Sequence, residues 1–574
     1  MTTKTSGLAF TALLYFVACS PSAEPPKNDG NSGSGGSSGS SGNGGTAGNT
    51  GGTAGNTGGT AGNTGGTAGT GGVPKFELDC DAPAVGAPVL RLLTRTELTN
   101  TISDVFPGVT GWTSTLPASN VSVFGFDNDA SAAVGNQFAQ KLLETAESIA
   151  NAVSGNALAN LLPCSTGSPN TACATDFVTR YGRRLYRRPL TSAETQRYVT
   201  LFDSISGRSD FKTGIKWVTV GLIQSPHAVY RRETGMAAGG MRTLTPHELA
   251  TELAYTYTGS TPSEELLAQA DAGTLGNLSS VAQSLLATER GKLAVQRFFE
   301  AYLGFTRAPT IERPTVTEYA ARAPEMVQET RAFIDGVVLQ GGGGVRELLT
   351  SPSAYPSRAL ASFYGADFPM PSTDYAAVTR PANRGLGILA QGSFLATHAN
   401  SQASSPTQRG VFTYLRLLCQ EKPEIPDNVP ELGDPEPGVR TTRQRYEEVH
   451  AAPNTPCAGC HSLFDPIGFG FEHYDAVGRY RADENGLPID ASGEVLTPSG
   501  DALFAFSSQE ELVQGLASQE ISYQCFSAYL ALYAFGTNQA CLGPSSADEL
   551  FAGTKGIAQA FADLTTEPHF TTRR

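Results

Sequence analysis

The stretch CAGCH, residues 457–461, decides how this chain is interpreted. It lies inside the longer run HAAPNTPCAGCHSLFDPIGFGFEHYDAVGRYR, residues 450–481. Two cysteines separated by two residues and followed at once by histidine are typical of a site where haem is attached covalently. Cys457 and Cys460 would form thioethers to the two vinyl groups of one porphyrin, and His461 would supply the proximal nitrogen ligand of its iron. The motif therefore predicts one haem c per chain.

Two other interpretations of the motif fit the sequence less well. A structural zinc site would need a second Cys/His pair at similar spacing, and the sequence contains none. A dithiol redox pair would be expected in a βαβ context, which the sequence pattern does not indicate. Covalent haem is the interpretation that the spacing favours.

The identity of the sixth iron ligand decides what such a haem would do. Methionine would raise its potential, histidine would lower it, and an open position would permit oxygen or peroxide chemistry. None of the five methionines follows the motif, which excludes a distal methionine from the C-terminal segment. The candidate distal ligands are His450, His398 and His473, in that order. Each of them has the alternative of being an ordinary surface or hydrogen-bonded histidine.

Polar residues that follow the motif are candidates for supporting roles. Asp465 would hydrogen-bond a ring nitrogen or cap the next turn. Arg479 and Arg481 would pair with haem propionates through their forked donors. The alternative for both arginines is an ion pair with Glu472 or Asp475, which contributes little at a surface.

The N-terminus has the pattern of an export signal. A short positive region and the apolar run 8–17 precede Phe16-Val17-Ala18-Cys19, which is similar to a lipoprotein signal peptide, residues 1–19, ending at an acylated Cys19. Cleavage by an ordinary signal peptidase near Ala18 is the alternative. The sequence predicts an exported protein, lipid-anchored in the outer membrane or at the cell surface, and otherwise periplasmic.

Residues 20–74 are dominated by Gly, Ser, Thr and Asn and contain tandem GGTAGNT repeats. Such a segment has no apolar surface to bury, so we expect a flexible linker between the membrane and the folded body. The net charge of −14 and the lack of a long basic run argue against a nucleic-acid partner.

The folded part of the chain is expected to be mainly α. Capping-box patterns followed by apolar residues at helical spacing begin at Thr94, Thr191, Thr245, Thr261 and Ser405. Composition and helix signals predict a multi-domain helical body ending in a haem-binding domain. The divisions are an N-terminal helical domain at 75–160, an Arg-rich helical domain at 161–240, a helical domain at 241–350, an irregular connection at 351–385, a haem-c-binding domain at 386–500 and a C-terminal helical domain at 501–574.

Nine cysteines are present, and six remain after one is assigned to lipid and two to haem. An even number in an exported chain indicates disulfides. Cys164 and Cys173 are close together in one polar loop and form the expected pair. Pairing of Cys525 with Cys541, or of either with Cys419, stays open.

Five arginines at positions 180, 183, 184, 187 and 188 invite an anion-binding interpretation. At helical spacing four of them share one side, next to an apolar stripe. A solvated or ion-paired face is the favoured prediction for this acidic protein.

Five blocks together resemble a known family. They are RLLTRTELTNTISDVF (91–106), FVTRYGRRLYRRPLTSAET (177–195), LTPHELATELAYTYTGSTPSEELL (244–267), SSPTQRGVFTYLRLLCQ (404–420) and CAGCHSLFDPIGFGFEHYDAVGRYR (457–481). In this order they are similar to the planctomycete and myxobacterial multi-domain haem-c proteins, in which uncharacterised helical domains precede a cytochrome-c-like domain. The resemblance implies a mainly helical, exported c-type haem protein without defining a substrate.

Two classes of function are therefore expected. In the first, one haem c serves electron transfer or a haem-dependent oxidoreductase, with a redox partner protein or a small oxidant. In the second, the chain is a surface-displayed binding or structural lipoprotein without catalytic activity.

Overall fold

The computed structural model describes residues 85–119, 121–122, 125–167, 169–421, 440–451, 457–536 and 544–574. The chain divides into two units, and the first, 1–72 with 425–434, lies outside these ranges. The second contains every element described below. The signal peptide with Cys19, the linker, Cys80 and Cys541 also lie outside the described residues.

The first group of elements spans residues 89–233 and surrounds its own apolar core. Helices far outnumber strands here and throughout the described residues, which confirms the mainly α class. Inside the core the rings of Phe106, Phe177 and Tyr181 pack against one another. The elements are the strand Val89–Leu92, the helices Arg95–Val105, Asn136–Ser154, Leu158–Leu161, Thr171–Tyr186, Ser192–Ser206, Phe211–Ile223 and Pro226–Val229, the 3₁₀ turn Pro163–Thr166, and the strand Tyr230–Glu233.

The second group spans residues 236–350 and contributes to the largest core cluster, which also includes Phe526 and Phe561 from the C-terminal part. Its elements are the strands Met236–Ala238 and Met241–Thr243, the helices Pro246–Thr258, Glu264–Ala272, Leu278–Leu286, Glu289–Leu303, Tyr319–Ile334 and Val345–Thr350, the 3₁₀ turn Phe305–Thr310, and the π turn Asp335–Gln340.

The third group spans residues 353–496 and contains the CAGCH motif. Its elements are the strands Ser353–Ala354, Val378–Thr379, Asp483–Glu484, Leu487–Pro488 and Gly493–Leu496, the helices Arg358–Tyr364, Gly392–Thr397, Pro406–Arg416, Thr442–Val449 and Ala458–Phe469, and the 3₁₀ turn Ile388–Ala390. The fourth group consists of the strands Ala502–Phe506 and Thr572–Arg573, the helices Gln509–Leu516, Glu520–Phe535, Pro544–Phe551, Ile557–Asp563 and Pro568–Thr571, and the 3₁₀ turn Leu564–Thr566.

All strand pairs among the described residues are antiparallel and short. Val89–Leu92 pairs with Tyr230–Glu233, and Gly493–Leu496 pairs with Ala502–Phe506, so the expected domain boundary at 500 falls inside a hairpin. The single three-stranded sheet in the described ranges places Met241–Thr243 between Met236–Ala238 and the C-terminal strand. No described helix combines the length and the apolar character needed to cross a bilayer.

Most of the predicted helix starts are confirmed. Full capping boxes form at Thr94, Thr191 and Thr245. In each, the threonine hydroxyl accepts from the backbone N–H of a glutamate three residues later, and the carboxylate of that glutamate accepts from the backbone N–H of the threonine. The prediction at Thr261 was wrong by two residues, because Ser263 caps the helix Glu264–Ala272. The hydroxyl of Thr261 is buried and donates instead to the carbonyl of Arg184.

The stretch 277–304 forms two helices, because Thr288 caps a new helix after the first one ends. One further expectation differs from the structure. The connection 351–385 was expected to be irregular and contains the helix Arg358–Tyr364, capped by Ser357. Its Leu360 belongs to a small buried cluster, a short apolar face that the surrounding prolines and serines masked.

The arginine block is largely ion-paired, as predicted. Arg183 bonds Asp271 at 2.7 Å, and Arg188 bonds Glu194 at 2.8 Å. Arg187 is the exception, since it is buried in a left-handed conformation at the end of its helix. Its guanidinium donates to the carbonyls of three residues at 227, 228 and 230, so it binds the end of the helix Pro226–Val229 rather than facing solvent.

The C-terminus is tied to the first strand pair through buried charges. Arg573 donates to Glu233 at 2.6 Å, and Arg91 lies 3.5 Å from the other oxygen of the same carboxylate. All three side chains are almost fully buried. Burial alone would raise the pKa of Glu233, but the guanidinium groups of Arg91 and Arg573 hold it well below its usual range.

Two helices that are distant in sequence pack closely at the CAGCH motif. We call Pro406–Arg416 the docking helix and Ala458–Phe469 the motif helix. A Cβ placed at Gly410 would lie 1.8 Å from the carbonyl oxygen of Phe464, and one at Gly468 would lie 1.9 Å from that of Pro406. Only glycine permits this approach of backbone to backbone.

A buried arginine holds the same pair of helices together. Arg409 of the docking helix has no exposed surface and donates to the carbonyls of Leu395, Phe471, Tyr474 and Asp475. Three of these carbonyls belong to the turn that follows the motif helix. Arg409 therefore fixes both the end of the motif helix and the chain that leaves it.

Two disulfides are present among the described residues. Cys164 and Cys173 are joined, nine residues apart in sequence. Cys419 is joined to Cys525 across 106 residues, which was one of the pairings left open by the sequence. This second bridge connects the end of the docking helix region to the helix Glu520–Phe535.

Replacing Gly468 with alanine tests the close helix contact. The added methyl group would collide with the carbonyl of Pro406, and we expect a loss of stability of about 1–3 kcal/mol or more. Gly459 lies on the same helix with open space around it, so Gly459→Ala is the matched control and should be neutral or slightly stabilising. Thermal unfolding of both variants measures this. Equal melting temperatures would contradict the close packing.

Removal of each disulfide should lower stability by an amount that grows with the logarithm of the length of the loop that it closes. For Cys419→Ala/Cys525→Ala we expect a loss of about 4–5 kcal/mol, and for Cys164→Ala/Cys173→Ala about 2–3 kcal/mol, from the chain entropy of the unfolded state. Urea unfolding monitored by circular dichroism compares the two variants. A larger effect from the short loop would show that strain or residual structure, rather than loop length, governs these bridges.

Candidate functional site

The motif helix places its three key side chains on one face. Cys457 is the residue immediately before the helix, and Cys460 and His461 lie in its first turn, where their backbone N–H groups donate to the carbonyl of Cys457. Residues three and four positions apart on a helix are neighbours. The spacing of the motif therefore brings two sulfur atoms and one imidazole together without help from the rest of the chain.

Both motif cysteines remain thiols in the structure. Cys457 is buried and Cys460 is partly exposed, and neither belongs to a disulfide. The other four described cysteines are all in disulfides. Cys457 and Cys460 are thus the two described cysteines whose sulfur atoms lie outside disulfides.

His461 is oriented by a buried carboxylate one turn later. Its Nδ1 lies 2.8 Å from Oδ2 of Asp465, which is 3% exposed. The hydroxyl of Thr407, from the docking helix, donates to the other oxygen, Oδ1, at 2.6 Å. Burial alone would raise the pKa of Asp465, but its contacts with His450, His461 and Thr407 hold it below its usual value.

The ionised carboxylate determines which ring nitrogen of His461 is protonated. A carboxylate without a proton only accepts hydrogen bonds, so Nδ1 of His461 carries the hydrogen and donates it to Asp465. In the neutral ring, Nε2 then keeps its lone pair. That lone pair is the one an iron or another metal ion would use.

His450 joins this group from the end of the helix Thr442–Val449. Its ring centroid lies 3.9 Å from that of His461, and its Nδ1 lies 3.6 Å from Oδ2 of Asp465. This Nδ1 is buried and makes no hydrogen bond. One ligand atom each from His450, His461 and Asp465 lie within 4.8 Å of one another, an arrangement able to hold a metal ion.

The donor set fits the proximal side of a covalently attached haem. Two thiols and an imidazole with a fixed, unprotonated Nε2 are the groups that this attachment needs. His450 lies directly beside His461, with 3.9 Å between the two ring centroids. Whether His450 would ligate the iron stays a prediction.

The two other candidate histidines have partners of their own. His398 packs against Phe394 and Phe412, and its Nδ1 lies 3.0 Å from the carbonyl of Phe394. Burial lowers the pKa of His398 to about 3, so the ring is neutral. His473 stacks on Tyr480, and its Nδ1 lies 3.0 Å from the carbonyl of Arg481.

The two arginines proposed for haem propionates are engaged with carboxylates. Arg479 donates to Asp475 at 2.9 Å. Arg481 donates to the buried Glu472 at 2.9 Å and lies 2.8 Å from Glu484. These are the alternative ion pairs that the sequence suggested, although Glu472 is buried rather than exposed.

Sequence reasoning missed two residues that build this site. Thr407 and Arg409 lie more than fifty residues before Asp465 and reach the motif only through the packing of the two helices. The tight crossing of Gly410 with the motif helix brings them there. A local motif contains no signal for such a contact. The block SSPTQRGVF, part of the family resemblance, indicated where this helix lies in the sequence but not that it packs against the motif helix.

Comparison with known proteins finds four family models along the chain. PSD3, a protein of unknown function (DUF1587), matches residues 91–155, and PSD5, a protein of unknown function (DUF1595), matches 173–233. PSD4, a protein of unknown function (DUF1592), matches 244–366, and PSCyt3, a protein of unknown function (DUF1588), matches 384–484.

No curated protein matches the chain, and no solved structure matches it either. The last of the four family matches contains the docking helix, the motif helix and Asp465, and its name indicates a cytochrome-like domain. Four successive stretches of the chain are thus similar to PSD3, PSD5, PSD4 and PSCyt3, in that order, and the CAGCH motif lies in the stretch that matches PSCyt3.

Proposed function

We propose that this chain is an exported, membrane-tethered c-type haem protein that acts in electron transfer or as a haem-dependent oxidoreductase. The observation that carries the proposal is the motif helix, on which two thiols and a carboxylate-oriented imidazole share one face. The match of this segment to a cytochrome-like domain supports it.

The residues of the site have distinct parts in this proposal. Cys457 and Cys460 would hold the porphyrin by thioether bonds, and Nε2 of His461 would ligate the iron. Asp465 keeps the ring of His461 in one orientation and one tautomer. When bound, a haem c supplies one-electron chemistry at its iron. The opposite iron ligand stays a prediction, with His450, His398 and His473 as candidates and an open position as the alternative.

Export and lipid anchoring rest on the sequence together with the disulfides. The segment ending at Cys19 is similar to a lipoprotein signal, and a Gly/Ser/Thr/Asn-rich linker separates it from the described residues. Two disulfides in the described residues suit an oxidising compartment such as the periplasm or the cell surface. Covalent haem attachment is also carried out in such compartments, so the features are consistent with one another.

A second candidate function is favoured by the group His450, His461 and Asp465. Two imidazoles and one carboxylate with ligand atoms within 4.8 Å of one another would hold a divalent transition metal without haem. The chain would then be a binding or structural lipoprotein with a metal site. The metal content of the purified protein distinguishes this case. A metal ion bound by side chains is found without a porphyrin, whereas haem iron is always accompanied by one.

The pyridine haemochrome spectrum tests the proposed function. We expect one c-type haem per chain in protein exported by cells with a cytochrome c maturation system, and none in Cys457→Ala/Cys460→Ala, because both thioethers are lost. Cys164→Ala/Cys173→Ala removes two cysteines from a distant loop and is the matched control, which should keep its haem.

A well-folded wild-type protein without covalent haem would contradict the haem proposal. Elemental analysis of the same sample then tests the second candidate. One equivalent of zinc, copper or nickel that is lost in His450→Ala would support the metal site.

Replacing Cys19 tests the lipid anchor. In Cys19→Ser the acylated residue is absent, and we expect the protein to move from the membrane fraction to the soluble fraction after cell lysis. Ser22→Ala, which lies outside the signal, should stay with the membranes. Retention of Cys19→Ser in membranes at the wild-type level would show that this cysteine is not the anchor.

A further inference from the structure

Asp465 is a buried carboxylate whose shortest contact with a basic side chain is with His461, the candidate iron ligand. It is 3% exposed, and its Oδ2 accepts the Nδ1 hydrogen of His461 at 2.8 Å. Within the described residues, His461 and His450 are the only basic side chains within 4 Å of its oxygens, and no lysine or arginine nitrogen lies at that distance. The hydroxyl of Thr407 donates to Oδ1.

Other buried carboxylates of this domain are neutralised differently. Glu472 is equally buried, but Arg481 donates to it at 2.9 Å and Arg409 lies 3.9 Å away. A guanidinium takes up most of the charge of such a carboxylate. Asp465 has only imidazoles and a hydroxyl, so its negative charge acts mainly on the Nδ1–H of His461.

A hydrogen bond from a metal-bound imidazole to a carboxylate makes the imidazole a stronger electron donor. A stronger donor, with a negative charge close to the metal, stabilises the more oxidised and more positive state of iron. A buried charge is screened much less than one at the surface, so the effect is retained in salt.

We propose that Asp465 is the positioning residue that sets the reduction potential of this site, and that through His461 it holds an attached haem in the ferric state. The proposal rests on the proposed function, because it needs a haem iron bound to His461. Thr407 opposes Asp465 in part, since its hydroxyl withdraws charge from the same carboxylate. The site is therefore a low-potential one, tuned by two residues from two helices.

Spectroelectrochemical titration of the purified holoprotein tests this. In Asp465→Asn the charge is removed at constant shape, and we expect the equilibrium between ferric and ferrous haem to shift at least tenfold toward ferrous, or about 59 mV for a one-electron couple. In Thr407→Val the carboxylate loses a competing donor and becomes a stronger acceptor for His461. The potential should then fall, opposite in sign to the first variant.

Asp483→Asn is the charge-matched control. Asp483 lies exposed in the same domain, and loss of its solvent-screened charge should leave the potential within a twofold change of the equilibrium. Opposite shifts in Asp465→Asn and Thr407→Val, with no shift in the control, are the result expected from charge tuning. A purely structural role would move both variants in the same direction.

The outcomes separate this inference from the function on which it rests. Covalent haem in Asp465→Asn with an unchanged potential overturns the tuning role and leaves the haem proposal standing. Should Asp465→Asn fail to fold, Thr407→Val decides alone, and a potential that is unchanged or raised there overturns the inference. Absence of covalent haem from the wild-type protein overturns both.

Discussion

The buried guanidinium of Arg409 is the interaction on which the rest of the site depends. It has no exposed surface and satisfies four backbone carbonyls, three of them in the turn after the motif helix. Without Arg409, each of these buried carbonyls would lack a hydrogen-bond donor and incur a desolvation penalty, which would destabilise the turn. Thr407 lies two residues before Arg409 on the same helix. The contacts of Arg409 with the turn therefore also place the Thr407 hydroxyl where it donates to Asp465.

The close crossing of the two helices makes this arrangement geometrically available. Gly410 and Gly468 each face a backbone carbonyl at a distance that no side chain allows, so the two helices approach as backbones rather than as side-chain layers. A separation larger by one methyl group would take the Thr407 hydroxyl out of hydrogen-bond range of Asp465. The hydrogen bonding around His461 thus depends on the close packing at Gly410 and Gly468, although neither glycine contributes a ligand.

Much of the fold and the core of the site could be predicted from local pattern. Thr94, Thr191 and Thr245 specify helix starts because a cap is a contact between residues three apart, and the CAGCH spacing aligns its own side chains for the same reason. Contacts between distant segments could not be read in this way. The burial of Arg187, the stacking of His450 on His461 and the bridge from Cys419 to Cys525 depend on which surfaces meet after folding.

The position of Arg573 has a consequence for how the fold is completed. Glu233 is buried against Arg91 in the first strand pair, and its second oxygen accepts from Arg573, 340 residues later in the sequence. A buried carboxylate that lacks one of its cations is strongly destabilising. The first helical group therefore reaches its full stability only when the segment that carries Arg573 has folded onto it.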